Sequence, residues 1–409
     1  MRPERDTRID VFRAIALLMI FINHVPGNVY EIVTVKNYGF SDAAEIFVLI
    51  SGIAVGLVYA PNLKGSGWVP TALKVWRRAW VLFYTHIMAT VATLTIFCAG
   101  AVIASRPDIL EMNNIQPLID DTARVIVGIG TLGHQLGYNN ILPVYMVLLL
   151  AAPGIVWLLH RSMALTLAAS GALWLAAGVW QIAPPNYPLE GFWFLNPLSW
   201  QFLFVIGVAG MMHVARGGRL PQRTIWTQLA VAYLIGAFVF IHSPLWGMPT
   251  LFGLPPVLGG FDKTFLSLFR LLDVLALAYL LARWPVVSNL ARTAPDHPLA
   301  ILGKYSLPVF VTGTLCAMVA QMLRALDEPS LGFDSLLLAA GIAAQLAVAY
   351  FLEWKSQLAR RSTAPAKAPA IMPSWRIPPP ANGSSSITAG KPPSNPDPTA
   401  GAGKSPWRK

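Results

Sequence analysis

The residues best placed to do chemistry cluster near the start of the chain: Asp10, Arg13 and His24, with Asn23 beside the histidine. At 100° per helical residue, the eleven steps from Arg13 to His24 return to within about 20° of the same face. Asp10 joins that face three residues before Arg13. The stripe Asp10, Arg13, Leu17, Ile20, His24 spans about 21 Å of helix axis and is polar at both ends. A histidine near its ordinary pKa can take a proton from a hydroxyl and return it, which acyl transfer to an alcohol requires. An i, i+3 ion pair at a membrane interface explains Asp10 and Arg13 equally well, and a water-satisfied helix end explains His24. In the next apolar segment, Asp42 and Glu45 share a face at about the depth of His24, where Glu45 could orient the imidazole or bind an acceptor hydroxyl. A solvated acidic helix start suits Asp42 better than the deeper Glu45.

Further polar residues punctuate apolar surroundings. Lys74, Arg77 and Arg78 precede the third apolar run; they serve either as charge that sets topology or as a seat for phosphates. Asn196, Trp200 and Gln201 open the sixth run as candidate acceptor-binding groups, although tryptophan there is also an ordinary interface residue. Arg270 and Asp273 are spaced for an ion pair within one helix, and Lys304, Tyr305 and Ser306 for anchoring. Ser51 and Gly52 are small enough to permit close helix packing.

The elements that must hold these residues are membrane helices. Of 409 residues 55% are hydrophobic and 12% charged, far below the roughly 25% charged residues of soluble chains. Apolar stretches of crossing length recur near residues 9–27, 43–60, 80–103, 141–159, 163–182, 198–214, 225–242, 264–282, 299–322 and 333–353. The expected fold is therefore an all-α polytopic bundle of about ten spans, with the first span retained. With the N-terminus inside, fourteen Lys and Arg residues fall in inner loops and five, Lys36, Arg106, Arg124, Lys263 and Arg324, in outer ones. That asymmetry predicts an N-in, C-in topology. It also accounts for the net charge of +11 without a nucleic-acid partner, because the basic residues are scattered and form no stripe. Cys98 and Cys316 lie in apolar runs, so neither a disulfide framework nor a metal-ligand spacing is expected. Residues 1–361 read as one transmembrane domain. Residues 362–409, rich in Pro, Ala, Ser and Lys, read as a disordered cytoplasmic tail.

The segments R-D-T-R-I-D-V-F-R-A-I-A-L-L-M-I-F-I-N-H-V-P-G-N and F-S-D-A-A-E-I-F-V-L-I-S-G resemble the OpgC family, osmoregulated periplasmic glucan succinyltransferases. So do G-Y-N-N-I-L-P-V-Y-M-V-L-L-L, L-S-W-Q-F-L-F-V-I-G, F-R-L-L-D-V-L-A-L-A-Y-L and L-G-K-Y-S-L-P-V-F, and together the likeness covers most of residues 5–353. The spacing of Arg13 and His24 also resembles the wider membrane acyltransferase-3 superfamily. Arg77 and Arg78 are similar to its basic third-span start, with Phe83 and Tyr84 where its proline usually stands. The resemblance implies a multi-pass protein of the bacterial inner membrane. It would carry a succinyl group from cytoplasmic succinyl-CoA, a co-substrate and not a resident cofactor, to glucose hydroxyls of a periplasmic glucan. His24 would be the general base, supported by Arg13, Asp10, Glu45 and Asn23, with Lys74, Arg77 and Arg78 on the CoA phosphates. Asp42, Asn196, Trp200 and Gln201 would contact the acceptor. An acetyl-CoA-dependent O-acetyltransferase of another envelope glycan fits the same pair of residues. A transporter or flippase of an envelope intermediate remains a reading from another class, since intramembrane charges also mark transport paths.

Overall fold

The computed structural model describes residues 6–251, 253–327 and 330–363, and over these the chain is built of helices, with no strand beyond one isolated bridge between Pro185 and Phe192. Seven helices are long and apolar enough to cross a membrane, or eight if one bent pair counts as a span. In chain order the elements are α1 (Arg8–Asn23), α2 (Ala43–Val58), α3 (Trp68–Ala104), α4 (Gln116–Asp120), α5 (Thr122–Gly130), α6 (Ile141–Arg161), α7 (Met163–Val179) and α8 (Pro197–Ala215). They continue with α9 (Thr224–Ile241), α10 (Pro256–Gly259), α11 (Leu268–Arg283), α12 (Pro285–Ala291), α13 (Pro298–Lys304), α14 (Ser306–Leu326) and α15 (Leu331–Thr363). Each of the ten expected segments falls on a helix. Four of them, on α1, α2, α7 and α11, carry only 16, 16, 17 and 16 α-helical residues, or roughly 24 Å of rise against about 30 Å of hydrocarbon; of these, α2 reaches crossing length because a 3-10 turn continues it to Asn62. Composition alone cannot reveal this shortness, because apolar residues continue beyond the helix ends into the loops. The chain from 364 onward, which holds most of the expected tail, lies outside the described residues.

Lipid-facing and interior surfaces are readily told apart. On α9 only Ala230 and Ala237 are buried, while Ile225, Trp226, Leu229, Ile235 and Val239 are exposed. An apolar face that broad is stable against lipid and not against water. α2 is the opposite case, central and packed on several sides. Its Gly52 and Gly56 lie against Gly207 and Val208 of α8, where a Cβ on Gly52 would strike the Phe204 carbonyl and one on Gly207 the Leu49 carbonyl. Small residues here let two backbones touch, as expected for Gly52 from sequence. Ser51 is buried beside it and faces a cavity described below. Cys98 lies on the outer surface and Cys316 is half-buried; both are free thiols.

α1 is anchored at both ends. Near its start Gly303 of α13 allows the Asp10 backbone so close that any side chain there would collide with it. Thr7 Oγ1 donates to the Thr293 carbonyl at 2.7 Å. At its far end Gly27 adopts φ +80°, and Asn28 Nδ2 donates to the carbonyls of Ile22 (2.9 Å) and Val25 (2.6 Å). That amide satisfies carbonyls that the helix end leaves without partners.

Candidate active site

α1 places its two polar groups against two different cavities. Asp10 and Arg13 line a cavity of about 650 Å³, together with Ser51 of α2, Arg78 of α3, Tyr145 of α6 and Lys304. Ile20, Asn23 and His24 line a second cavity of about 300 Å³, with Asp42, Tyr138, Asn140 and Lys263. Ile141, the first residue of α6, lines both, so an apolar partition separates them. The helical face expected from the eleven-residue spacing thus faces inward along its length, with Leu17 buried between the polar ends.

His24 sits at the end of α1, where its carbonyl accepts a hydrogen bond from Gln321 Nε2 at 2.5 Å. Gln321 Oε1 in turn accepts from Asn113 Nδ2 at 2.8 Å. The imidazole packs on the Tyr138 ring at 4.5 Å between centroids. Its Nδ1 is buried and has no hydrogen-bond partner among the described residues. That nitrogen is enclosed by protein, while the ring itself forms part of the cavity wall. Asn23 Oδ1 accepts from Thr34 Oγ1 at 2.8 Å, which leaves the Asn23 amide N–H groups available as donors in the same cavity.

Arg13 Nη1 lies 3.4 Å from both Asp10 Oδ1 and the Gly303 carbonyl. The ion pair within α1 therefore exists, and it borders a cavity. All three basic residues of α3 are exposed, and of them Arg78 lines that same cavity, whereas Lys74 and Arg77 do not. Of the expected phosphate seat, the fold brings one residue to the cavity. Lys304 is paired with Glu353 of α15, and Tyr305 Oη donates to Glu353 Oε2 at 3.1 Å.

The acidic residues of α2 have partners other than His24. Asp42 and Glu45 form a capping box: Asp42 Oδ1 accepts from Ala44 N at 2.8 Å, and Glu45 Oε2 from Asp42 N at 3.0 Å. Glu45, fully buried, also accepts from Arg270 Nε at 2.7 Å, and Asp42 is paired with Lys263 and lies 3.5 Å from Arg270. Burial would raise the Asp42 carboxyl, but the Lys263 ammonium and then the Arg270 guanidinium more than reverse this and hold it below the usual carboxylate range. This corrects the expected Arg270 to Asp273 pair. Arg270 crosses to α2, and Asp273 Oδ2 accepts instead from Ser41 N (3.1 Å) and Ser41 Oγ (2.5 Å). Spacing within one helix cannot reveal a partner supplied by another.

Asn196, Trp200 and Gln201 do not line the His24 cavity; each is bonded within the protein. Asn196 Oδ1 caps α8 through Leu198 N at 3.0 Å, and Gln201 Oε1 accepts from Ser170 Oγ at 2.6 Å. Trp200 Nε1 donates to the Lys263 carbonyl at 3.0 Å, and Asn196 N to the Thr264 carbonyl at 3.1 Å. Trp200 and Asn196 therefore fix the segment that delivers Lys263 to Asp42, and Gln201 ties α8 to α7. Tyr138 and Asn140 were not foreseen as site residues, since they stand in an irregular loop before α6 with no periodicity to mark them. Beyond the C-terminal end of α2, a groove of about 950 Å³ is lined by Lys64, His160, Arg161 and Arg216. None of these has a carboxylate partner among the described residues.

These features define a class: a multi-pass, all-helical membrane protein in which one helix borders two abutting polar cavities. The family model described as OpgC protein matches residues 5–357, and the chain belongs to the OpgC family. That membership suggests a glucan-modifying acyltransferase. No curated protein and no solved structure matches the chain.

Proposed function

We propose that the protein moves a succinyl group from cytoplasmic succinyl-CoA to glucose hydroxyls of a periplasmic glucan, with His24 as general base. The observation that supports this reading is that Arg13 and His24, on one face of α1, line two cavities that share the Ile141 wall, with no group among the described residues engaging the His24 Nδ1. In this scheme the CoA phosphates rest on the basic end of α3, with Lys74 and Arg77 outside and Arg78 at the cavity. The pantetheine arm occupies the larger cavity beside Arg13, and the thioester meets the sugar at the Ile141 partition. His24 takes the proton of a glucose hydroxyl as its oxygen attacks the thioester carbonyl. The tetrahedral oxyanion is met by the Asn23 amide, an interaction of a kind worth about 3 kcal/mol of barrier. Collapse expels the CoA thiolate, which recovers the proton from the imidazolium. Asp42 and Glu45 act at one remove, by fixing Lys263 and the start of α2 in the cavity wall.

A neutral acyl group is the second reading, and it has its own support. Lys36 and Lys263, the basic residues lining the His24 cavity, are each already paired, with Glu31 at 2.7 Å and with Asp42 respectively. Arg124 and Arg270, two other candidate cations for the distal carboxylate of succinate, are paired with Asp121 and Glu45. The test compares glucans from cells with the gene, without it, and with His24→Ala by mass and charge. Succinyl increments carrying negative charge support the first reading, and neutral acetyl increments the second. Full substitution by a correctly inserted His24→Ala variant would contradict both.

A further inference from the structure

Next to the His24 cavity lies another of about 280 Å³, and Asn140 and Phe194 line both. Its wall is made of carboxamides and aromatic rings: Asn114, Gln135, Asn140, Asn186, Phe192 and Phe194. No Asp, Glu, Lys or Arg lines it. The amides are held from behind. Asn114 Nδ2 donates to the Gln135 carbonyl at 3.5 Å and Gln135 Nε2 to the Leu132 carbonyl at 3.0 Å, while His134 Nε2 lies 2.9 Å from the Asn114 carbonyl. Asn140 Oδ1, on the shared wall, is buried with no partner among the described residues. A buried acceptor left without a donor is destabilising, and a ligand hydroxyl that reached it would recover the loss.

The two phenylalanines are the second observation. In the loop between α7 and α8, Trp193 is buried while its neighbours Phe192 and Phe194 are 43% and 50% exposed. Exposed aromatic faces at the rim of a polar cavity mark a binding site more often than a folding element. Amide oxygens and N–H groups that can meet hydroxyls, a Phe192 ring that can meet the C–H face of a pyranose, and a lining without Asp, Glu, Lys or Arg fit one ligand chemistry, a neutral sugar, while the Lys263 ammonium lies over the Phe194 ring at 5.7 Å.

We propose that this cavity is a carbohydrate subsite that holds the glucose unit next to the one presented to His24, so that the acceptor is recognised as an oligomer. The proposal rests on the acyltransferase reading only for the role of the neighbouring site. It is tested with purified protein, using glucose trisaccharides of α and of β linkage and free glucose as probes. The variants are Asn186→Ala, Phe192→Ala and Asn186→Asp, the last keeping the size while withdrawing the amide donor. One trisaccharide should bind the wild type more tightly than free glucose does. The Asn186 and Phe192 variants should weaken that binding and raise the acceptor KM by about tenfold, the loss of roughly one hydrogen-bond set or stacking face, with kcat kept. Glucose should not distinguish them. Unchanged trisaccharide affinity and KM in variants that melt like the wild type would overturn the subsite while leaving the transferase reading intact. Variant-sensitive sugar binding by a wild type that transfers no acyl group would do the reverse.

Discussion

At the scale of single residues, His24 is an imidazole in a cavity wall whose Nδ1 no described residue engages. Removal of a positioned general base typically costs 10²–10⁴-fold in rate, so His24→Ala should lose activity by that order while its thermal midpoint stays that of the wild type. Gln321→Leu is a subtler probe, because Gln321 touches the His24 carbonyl and not the ring. It should lower kcat with little change in donor or acceptor KM, whereas a merely structural glutamine would shift the melting temperature alone. On the donor side, Arg78→Ala should raise the KM for acyl-CoA more than Lys74→Ala or Arg77→Ala, since only Arg78 reaches the cavity. Initial-rate kinetics with varied donor would show it, and equal effects for all three would place the phosphates on the outer face of α3. The inward direction of Arg13 and His24 was legible from eleven-residue spacing, because helix periodicity alone fixes it. Tyr138 and Asn140 were not legible, because their position comes from a loop folded against α1.

At the scale of elements, two contacts decide where the site residues stand. Where α2 meets α8, Gly52 and Gly207 bring backbones together; Gly52→Leu should destabilise by about 1–3 kcal/mol or more through overpacking, read as a lower melting temperature in detergent. Where α2 meets α11, Glu45 and Arg270 form a buried pair. Breaking such a pair from one side costs about 3–5 kcal/mol, because the remaining charge is stranded. Glu45→Leu should therefore be far more harmful than the double replacement of Glu45 and Arg270 by leucines. If the single variant were as stable as the wild type, the pair would not be what fixes α2. The sequence foretold close packing at Gly52 but assigned Arg270 to Asp273, three residues away on the same helix. Local spacing was a sound guide to which residues are buried and a poor one to which of them meet across helices. Asn196, Trp200 and Gln201 follow the same rule, since they looked like binding residues until the partners supplied by α7 and by the segment before α11 were known.

At the scale of the whole molecule, the proposed reaction brings a donor from the cytosol to an acceptor from outside, and α1 borders the two cavities that would receive them. Each apolar run falls on a helix, although the helices α1, α2, α7 and α11 are shorter than their runs. The charge asymmetry of the loops predicts that Ser66 is inside and Asp108 outside. In a cysteine-free background, Asp108→Cys should react with a membrane-impermeant maleimide on intact spheroplasts and Ser66→Cys only after lysis; the opposite pattern would invert the topology. The central claim, that His24 activates a sugar hydroxyl against a thioester, is tested most directly with purified protein in liposomes supplied with succinyl-CoA. The account predicts free CoA thiol released in step with acylated glucan, only when glucan is present, and lost in His24→Ala. Thiol release that ignores glucan, or that persists in His24→Ala, would contradict it.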